Sequence, residues 1–230
     1  MIKLMENPEA LKNWINKCKS DSEKNGAELR RAHGILGEEL GKNILKDYPD
    51  NEFVVIIMMR AGLFFGTGMA DSLDCTIITL DEKNDIEWNT PSKEYSNKFI
   101  ERYSKQLIGK TVIIADAVIN TGKTINEICN HLGQYSSDII IATNVIQSEA
   151  QKLFENAKIY AVRISENKFE GGKVSKQREG RGPDTGDRLF KTMEDWQKIE
   201  ETDSKARKMT IYEFEKQSCD SILNKTDCET

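Results

Sequence analysis

Residues 111–124 read Thr-Val-Ile-Ile-Ala-Asp-Ala-Val-Ile-Asn-Thr-Gly-Lys-Thr, an apolar strand running into an acid, a short loop and a helix start. Asn120, Thr121 and Gly122 can turn backbone N–H groups and a hydroxyl toward an anion. The dipole of the following helix adds partial positive charge, so the segment has the physics of a phosphate cradle. An ordinary strand-to-helix turn capped by Thr121 or Thr124 uses the same residue types, and spacing alone leaves both readings open. Two further segments carry chemistry-bearing residues: Met59-Arg-Ala-Gly-Leu63 after an apolar run, and Asp184-Thr-Gly-Asp-Arg-Leu-Phe190 followed by Thr192.

These segments need elements to hold them. Leu29, Ala32, Leu36, Leu40 and Ile44 recur at spacings of three and four, which predicts an amphipathic helix ending before Pro49, and the first 50 residues read as helical throughout. Short runs rich in β-branched residues follow: Val54–Met58, Thr76–Leu80, Thr111–Ala115, Ile139–Thr143 and Ile159–Val162. They are continuously apolar rather than alternating, which suits strands buried on both faces. Helical stretches such as Thr124–Leu132 and Ser148–Asn156 lie between them. The expectation is an α/β fold with a mostly parallel twisted sheet flanked by helices. Residues 163–191 form a polar, Gly-rich segment with 8 basic and 5 acidic side chains, a functional or a flexible loop by its composition. The expected division is a body over residues 1–192 and an acidic tail over 193–230, whose Ile211, Phe214 and Ile222 could form a weak helical stripe.

Composition narrows the function class. The chain has 230 residues, 38 acidic and 33 basic, for a net charge of −5, without the basic excess of a duplex-binding protein. The tail holds 10 of the acids and 6 of the bases, so the body is near neutral. The longest apolar run, Phe53–Met59, is far short of a bilayer span, and the first residues show no secretory pattern. Five cysteines without a CxxC pair point to reduced thiols, hence a cytoplasmic location, and two histidines, His33 and His131, are too few for a multi-histidine metal site. His33, beside Arg30 and Arg31, reads as a surface or packing residue.

Two functional readings of the cradle compete. Gly122-Lys123-Thr124 matches the end of a nucleoside-triphosphate P-loop, but Ala117 stands where that pattern has its first Gly. The run Ile139–Ala142 also ends in Thr143-Asn144 rather than in a Mg²⁺-holding carboxylate. The other reading is that Asp116–Thr124 resembles the motif with which type I phosphoribosyltransferases hold phosphoribosyl pyrophosphate (PRPP). Met59–Leu63 resembles the Arg-Ala-Gly-Leu turn of the uracil phosphoribosyltransferases, and Asp184–Phe190 with Thr192 resembles that family's Asp-Ala-Gly-Asp-Arg-Ile-Phe-Gly-Thr segment. The likeness covers roughly residues 10–192 in matching order, with weaker echoes at Leu29-Arg-Arg31, Tyr95–Lys98 and Ile159-Tyr160.

The resemblance implies a set of roles. Arg60 and the amides of Ala61 and Gly62 hold pyrophosphate. Asp116 binds the ribose hydroxyls. Ala117, Val118, Ile119, Asn120, Thr121, Gly122, Lys123 and Thr124 surround the 5′-phosphate. Asp184 sits near PRPP and its metal, and Arg178, Pro183, Asp184 and Thr185 line the base pocket. Asp116, Asp184 and Arg60 are the implied catalytic set. Mg²⁺ is held mainly by PRPP itself rather than by protein ligands. The implied partners are PRPP and a nucleobase, with uracil first, and a homo-oligomer. The bland alternatives are a surface cation at Arg60 and turn-formers at Asp184 and Asp187 beside Gly186.

The sequence also departs from that family. Ala117 follows the acid where the uracil group typically has Pro. Lys123 replaces the second Gly of the phosphate loop. Leu80 stands where the family has a PRPP-binding Arg, with Lys83 or Lys98 as possible stand-ins. The base-reading loop is Arg178-Glu-Gly-Arg-Gly-Pro183, and Pro183 has no N–H to donate. A missing donor of this kind costs roughly 1–3 kcal/mol. A transferase for another base, or a binder that senses PRPP or a nucleotide without turnover, therefore stands beside uracil transfer, with Arg178 and Arg181 suited to a more oxygen-rich partner.

Overall fold

A computed structural model of the chain describes residues 2–81, 97–133, 136, 138–154, 157–166, 169–170, 173–174 and 184–192. In chain order the elements are β1 (Ile2–Leu4), a 3-10 turn (Pro8–Leu11), α1 (Lys12–Cys18), α2 (Gly26–Asp47), β2 (Phe53–Met58), α3 (Leu63–Leu73), β3 (Thr76–Leu80), α4 (Asn97–Leu107), β4 (Thr111–Ile119), α5 (Lys123–Leu132), β5 (Ile139–Gln147), a 3-10 segment (Ser148–Phe154), β6 (Lys158–Ser165), β7 (Phe169–Glu170), β8 (Lys173–Val174) and α6 (Thr185–Phe190). The main sheet has the order β1-β6-β5-β4-β2-β3 and every pairing in it is parallel, while β7 and β8 form a separate antiparallel pair. The expected α/β architecture is therefore the observed one. No helix among the described residues is long and apolar enough to cross a membrane.

The continuous apolar runs are explained by burial on both sides, except at the edge strand β3, where Thr76, Ile77 and Thr79 are exposed and only Ile78 and Leu80 are buried. Phe53, Val55 and Ile57 of β2 face one core with the α2 stripe Leu29, Ala32, Leu36, Leu40 and Ile44, whereas Val54, Ile56 and Met58 face a second core with Leu107 of α4 and Ile125, Ile128 and Leu132 of α5. Helices α2 and α3 approach closely because glycines line the seam: a Cβ on Gly37 would sit 1.9 Å from the Phe65 carbonyl oxygen. That contact fixes the start of α3, and with it the turn that leads out of β2.

Two sequence expectations need correction. The first 50 residues are not wholly helical, because Ile2–Leu4 forms a sheet strand beside β6, in register with Ile159–Ala161 and extended by the Met5 N–H to the Ala161 carbonyl at 2.9 Å. Three residues are too few to show a period. The expected strands Thr111–Ala115, Ile139–Thr143 and Ile159–Val162 also run longer, to Ile119, Gln147 and Ser165. Their pairings omit one row, Ala117–Asn144–Val162, and the side-chain alternation inverts across it. Ile114, Ile141 and Ile159 face the second core before that row; Ile119, Ile146 and Ile164 face the same core after it, at the opposite parity.

Candidate active site

Ligands of parallel sheets gather at the carboxyl ends of the strands, and the candidate residues converge there. β2 ends at Met58. The Met59 N–H donates to the Leu80 carbonyl at 2.8 Å and the Gly62 N–H returns to the Met58 carbonyl at 2.9 Å, so residues 59–62 form a tight turn, in which the Met59–Arg60 peptide is cis. A Cβ on Gly62 would meet the Met58 oxygen at 2.5 Å, the Ala115 oxygen at 2.8 Å and the Asp116 Cα at 3.3 Å. Only a glycine allows this turn to lie against β4, and the contact brings the Arg60-Ala61-Gly62 backbone beside Asp116.

Asp116 is partly buried and sits within β4, opposite Thr143 of β5, rather than at the strand end. Ala117 and Ile119 are buried, and Val118 and Ile119 stay in register with Val145 and Ile146. The expected loop over 117–124 thus shortens to Asn120, Thr121 and Gly122. Gly122 has a φ of 75°, a left-handed conformation that favours glycine, and a Cβ there would lie 2.5 Å from the Phe154 ring. It caps α5, whose first residue, Lys123, is exposed, as is Thr121. The buried Asn120 Oδ1 has no hydrogen-bond partner among the described residues. The N-terminus of α5, the exposed Thr121 and the Lys123 ammonium make this turn electropositive.

The third candidate segment reaches the first. Asp184 caps α6: its Oδ1 accepts the Asp187 N–H at 2.7 Å, which is a turn-forming role for that carboxylate. Asp187 in turn accepts from Arg60 Nη2 at 2.9 Å. The Arg60 guanidinium also lies 5.8 Å from the Phe190 ring centroid, and a Cβ on Gly186 would be 3.6 Å from its Nη2. Arg60, Gly62, Asp116, Asp184 and Thr185 therefore belong to one neighbourhood. Arg178 and Pro183, placed in the base pocket by resemblance, lie outside the described residues, as do Arg181, Lys83 and Tyr95; for Lys98 only the backbone, in α4, is described. Leu80 is buried at the end of β3, so that position presents no cation.

The sequence reading missed what supports this neighbourhood. Arg188 is buried and donates to the Lys24 carbonyl from Nε at 3.3 Å, to Lys19 from Nη1 at 3.1 Å, and to Ser22 and Lys24 from Nη2 at 2.9 Å each. Arg30 donates to the Leu189 carbonyl at 2.7 Å and lies over Phe64, which packs on Phe190. The Asp184-x-x-Asp187 spacing is itself a helix-start signal that could have placed α6. Beneath α6, His33 is a packing residue and not a surface one: it is fully buried, and burial with the nearby Arg188 and Arg163 charges holds its pKa down at about 3. Cys18 is buried too, its thiol pushed up to about 12 by desolvation.

The chain matches the phosphoribosyl transferase domain family over residues 27–177, a span that includes the Arg60 turn and the Asp116–Thr124 turn. It belongs to that family. A similar fold is seen in the AQ2163 protein from Aquifex aeolicus, at 20% identity and a TM-score of 0.61 over 83% of this chain and 98% of that one. A purine phosphoribosyltransferase from Pyrococcus horikoshii matches at 20% identity and a TM-score of 0.40 over 57% of this chain and 82% of that one. A hypoxanthine-guanine phosphoribosyltransferase from Bacillus anthracis matches at 15% identity and a TM-score of 0.42 over 61% and 80%. No curated protein matches the sequence. Family membership decides between the two readings of Gly122-Lys-Thr124: the turn belongs to a phosphoribosyl transferase domain and not to a P-loop phosphotransferase.

Proposed function

We propose that this phosphoribosyl transferase domain moves the phosphoribosyl group of PRPP to a nucleobase, with uracil as the first candidate, to give the nucleoside monophosphate and pyrophosphate. The observation that carries the reading is the contact of Gly62 with Ala115 and Asp116, which sets the Arg60 turn against the strand that leads into the Asn120–Gly122 turn. A pyrophosphate at the first turn and a 5′-phosphate at the second then hold the sugar between them, over Asp116. In the reaction the base nitrogen bonds to the anomeric carbon as the bond from that carbon to the pyrophosphate oxygen breaks. The ring nitrogen's proton leaves to solvent or to the departing pyrophosphate. Charge develops on the leaving group and on the sugar, so the protein's task is positioning and electrostatic stabilisation.

Arg60 serves the pyrophosphate, Asp116 orients the ribose hydroxyls, and the α5 N-terminus with Thr121 and Lys123 takes the 5′-phosphate. Mg²⁺ enters as part of the substrate, bound by PRPP oxygens; among the described residues no group of three or more His, Cys, Asp or Glu side chains could hold an ion. The body over 1–192 carries this activity in the cytoplasm as a homo-oligomer, with 193–230 as an appendage. A second reading, transfer to another base or PRPP sensing without turnover, is favoured by the buried Leu80 and by Pro183 in the base-reading loop.

Pyrophosphate release from Mg–PRPP across a panel of bases separates these outcomes. Release with uracil supports uracil transfer. Release only with another base moves the specificity, and PRPP binding without release for any base leaves the sensor. No PRPP binding at all overturns the proposal.

A further inference from the structure

We propose that Asp187 is a positioning residue that sets the Arg60 guanidinium for the pyrophosphate of PRPP, an inference that rests on the function proposed for Arg60. An arginine side chain has four rotatable bonds, and a half-exposed one gains affinity for an anion when its rotamers are restricted in advance. Arg60 is 48% exposed while Asp187 is only 15% exposed, so the carboxylate is the fixed partner and the guanidinium the held one. The hold comes from three sides of α6: the Asp187 oxygen at 2.9 Å, the Phe190 ring, and Gly186, whose missing Cβ leaves room for the guanidinium. Asp187 engages Nη2, and among the described residues no other hydrogen bond from the guanidinium is seen, so its remaining N–H groups face a bidentate oxyanion in this proposal.

The helix that carries Asp187 is itself anchored. Asp184 caps its start, Arg188 ties it to the carbonyls of residues 19–24, and Arg30 ties its end through the Leu189 carbonyl. Asp187 is therefore the link through which the packing under α6 fixes the direction of Arg60. This differs from a latch, in which the carboxylate would occupy Arg60 and have to be displaced by substrate. In a latch, removing the negative charge tightens PRPP binding; in a positioning contact, it weakens binding.

Calorimetric titration of Mg–PRPP into the full chain tests this with four proteins, wild type, Asp187→Asn, Asp187→Glu and Arg60→Gln, and with the Arg60→Gln/Asp187→Asn double variant. Thermal unfolding of each confirms the fold. Asp187→Asn is expected to weaken PRPP about tenfold, Asp187→Glu to recover part of the loss, and Asp187→Asn to add nothing once Arg60 is Gln. Unchanged or tighter binding by Asp187→Asn, or the same loss in the Arg60→Gln background, overturns the positioning role alone. Wild type that does not bind PRPP, or Arg60→Gln that binds as wild type does, overturns the role of Arg60 and this inference with it.

Discussion

Arg60 and Arg188 both touch the short helix α6, and they use the same side chain in opposite ways. Arg60 is half-exposed and takes one carboxylate contact, from Asp187, among the described residues. Arg188 is 6% exposed and spends four hydrogen bonds on the main-chain carbonyls of Lys19, Ser22 and Lys24. Carbonyl oxygens satisfy its donors but do not cancel its charge. Burial therefore lowers the Arg188 pKa, and its field, with that of Arg163, helps keep His33 neutral. A cation held by carbonyls is a fastening; a cation held at one edge by a carboxylate is a presentation.

The largest difference is expected in stability. Arg188→Met fills the space but strips the residue 19–24 carbonyls of their donors, which should cost about 3 kcal/mol, read as a lower urea midpoint at unchanged slope. A loss under about 1 kcal/mol would mean the loop holds itself. Next comes Gly62→Ala, whose new methyl meets backbone oxygens of Met58 and Ala115 that cannot rotate away. Overpacking of this kind costs typically 1–3 kcal/mol. Here it should also weaken PRPP binding, because the displaced turn carries Arg60. Retained stability with retained binding would show that the two strand ends tolerate separation.

Per pH unit, smaller again is a pH effect that belongs to the Arg188 side alone. His33 has a folded pKa near 3 and an ordinary unfolded value near 6.5, so between those values the unfolded chain binds the extra proton. Stability from this residue is complete above pH 6.5 and falls by about 1.4 kcal/mol per unit as pH drops toward 3. His33→Leu should flatten that part of the stability profile measured by urea unfolding from pH 7 to 4. An equal slope in both proteins would place the acid sensitivity elsewhere.

How far each half of this arrangement could be read in the sequence follows from how local its signals are. The α2 stripe and β2 came directly from apolar spacing, because each is buried along its whole length against one or two faces, whereas the edge strand β3 buries only Ile78 and Leu80. The later parts of β4, β5 and β6 were lost where Asp116, Asn144 and Arg163 interrupt the apolar runs. The structure continues all three strands through the row Ala117–Asn144–Val162 with inverted alternation, which no single strand's pattern reveals. The Arg60 turn was legible through its resemblance to a family motif, and the Asn120–Gly122 turn through its strand–loop–helix pattern as well. Arg188 was not, since its partners lie more than 160 positions away and are main-chain atoms with no residue signature. His33 stayed open between surface and packing for the same reason, since the packing beneath α6 that buries it comes from distant segments.

The smallest expected effect is the most discriminating. If Arg60 is a presented charge, its pair with Asp187 is a partly exposed ion pair, and such pairs contribute roughly 0–1 kcal/mol to stability. Arg60→Gln removes only a partly exposed ion pair and the guanidinium over Phe190, so its urea midpoint should stay within about 0.5 kcal/mol of wild type and show little dependence on salt. A drop approaching that of Arg188→Met would erase the distinction, because Arg60 would then be fastening α6 to the β2 turn. A stable Arg60→Gln protein that has lost PRPP keeps it: the two arginines that meet at one small helix would divide the work, Arg188 holding the helix down and Arg60 held out by it.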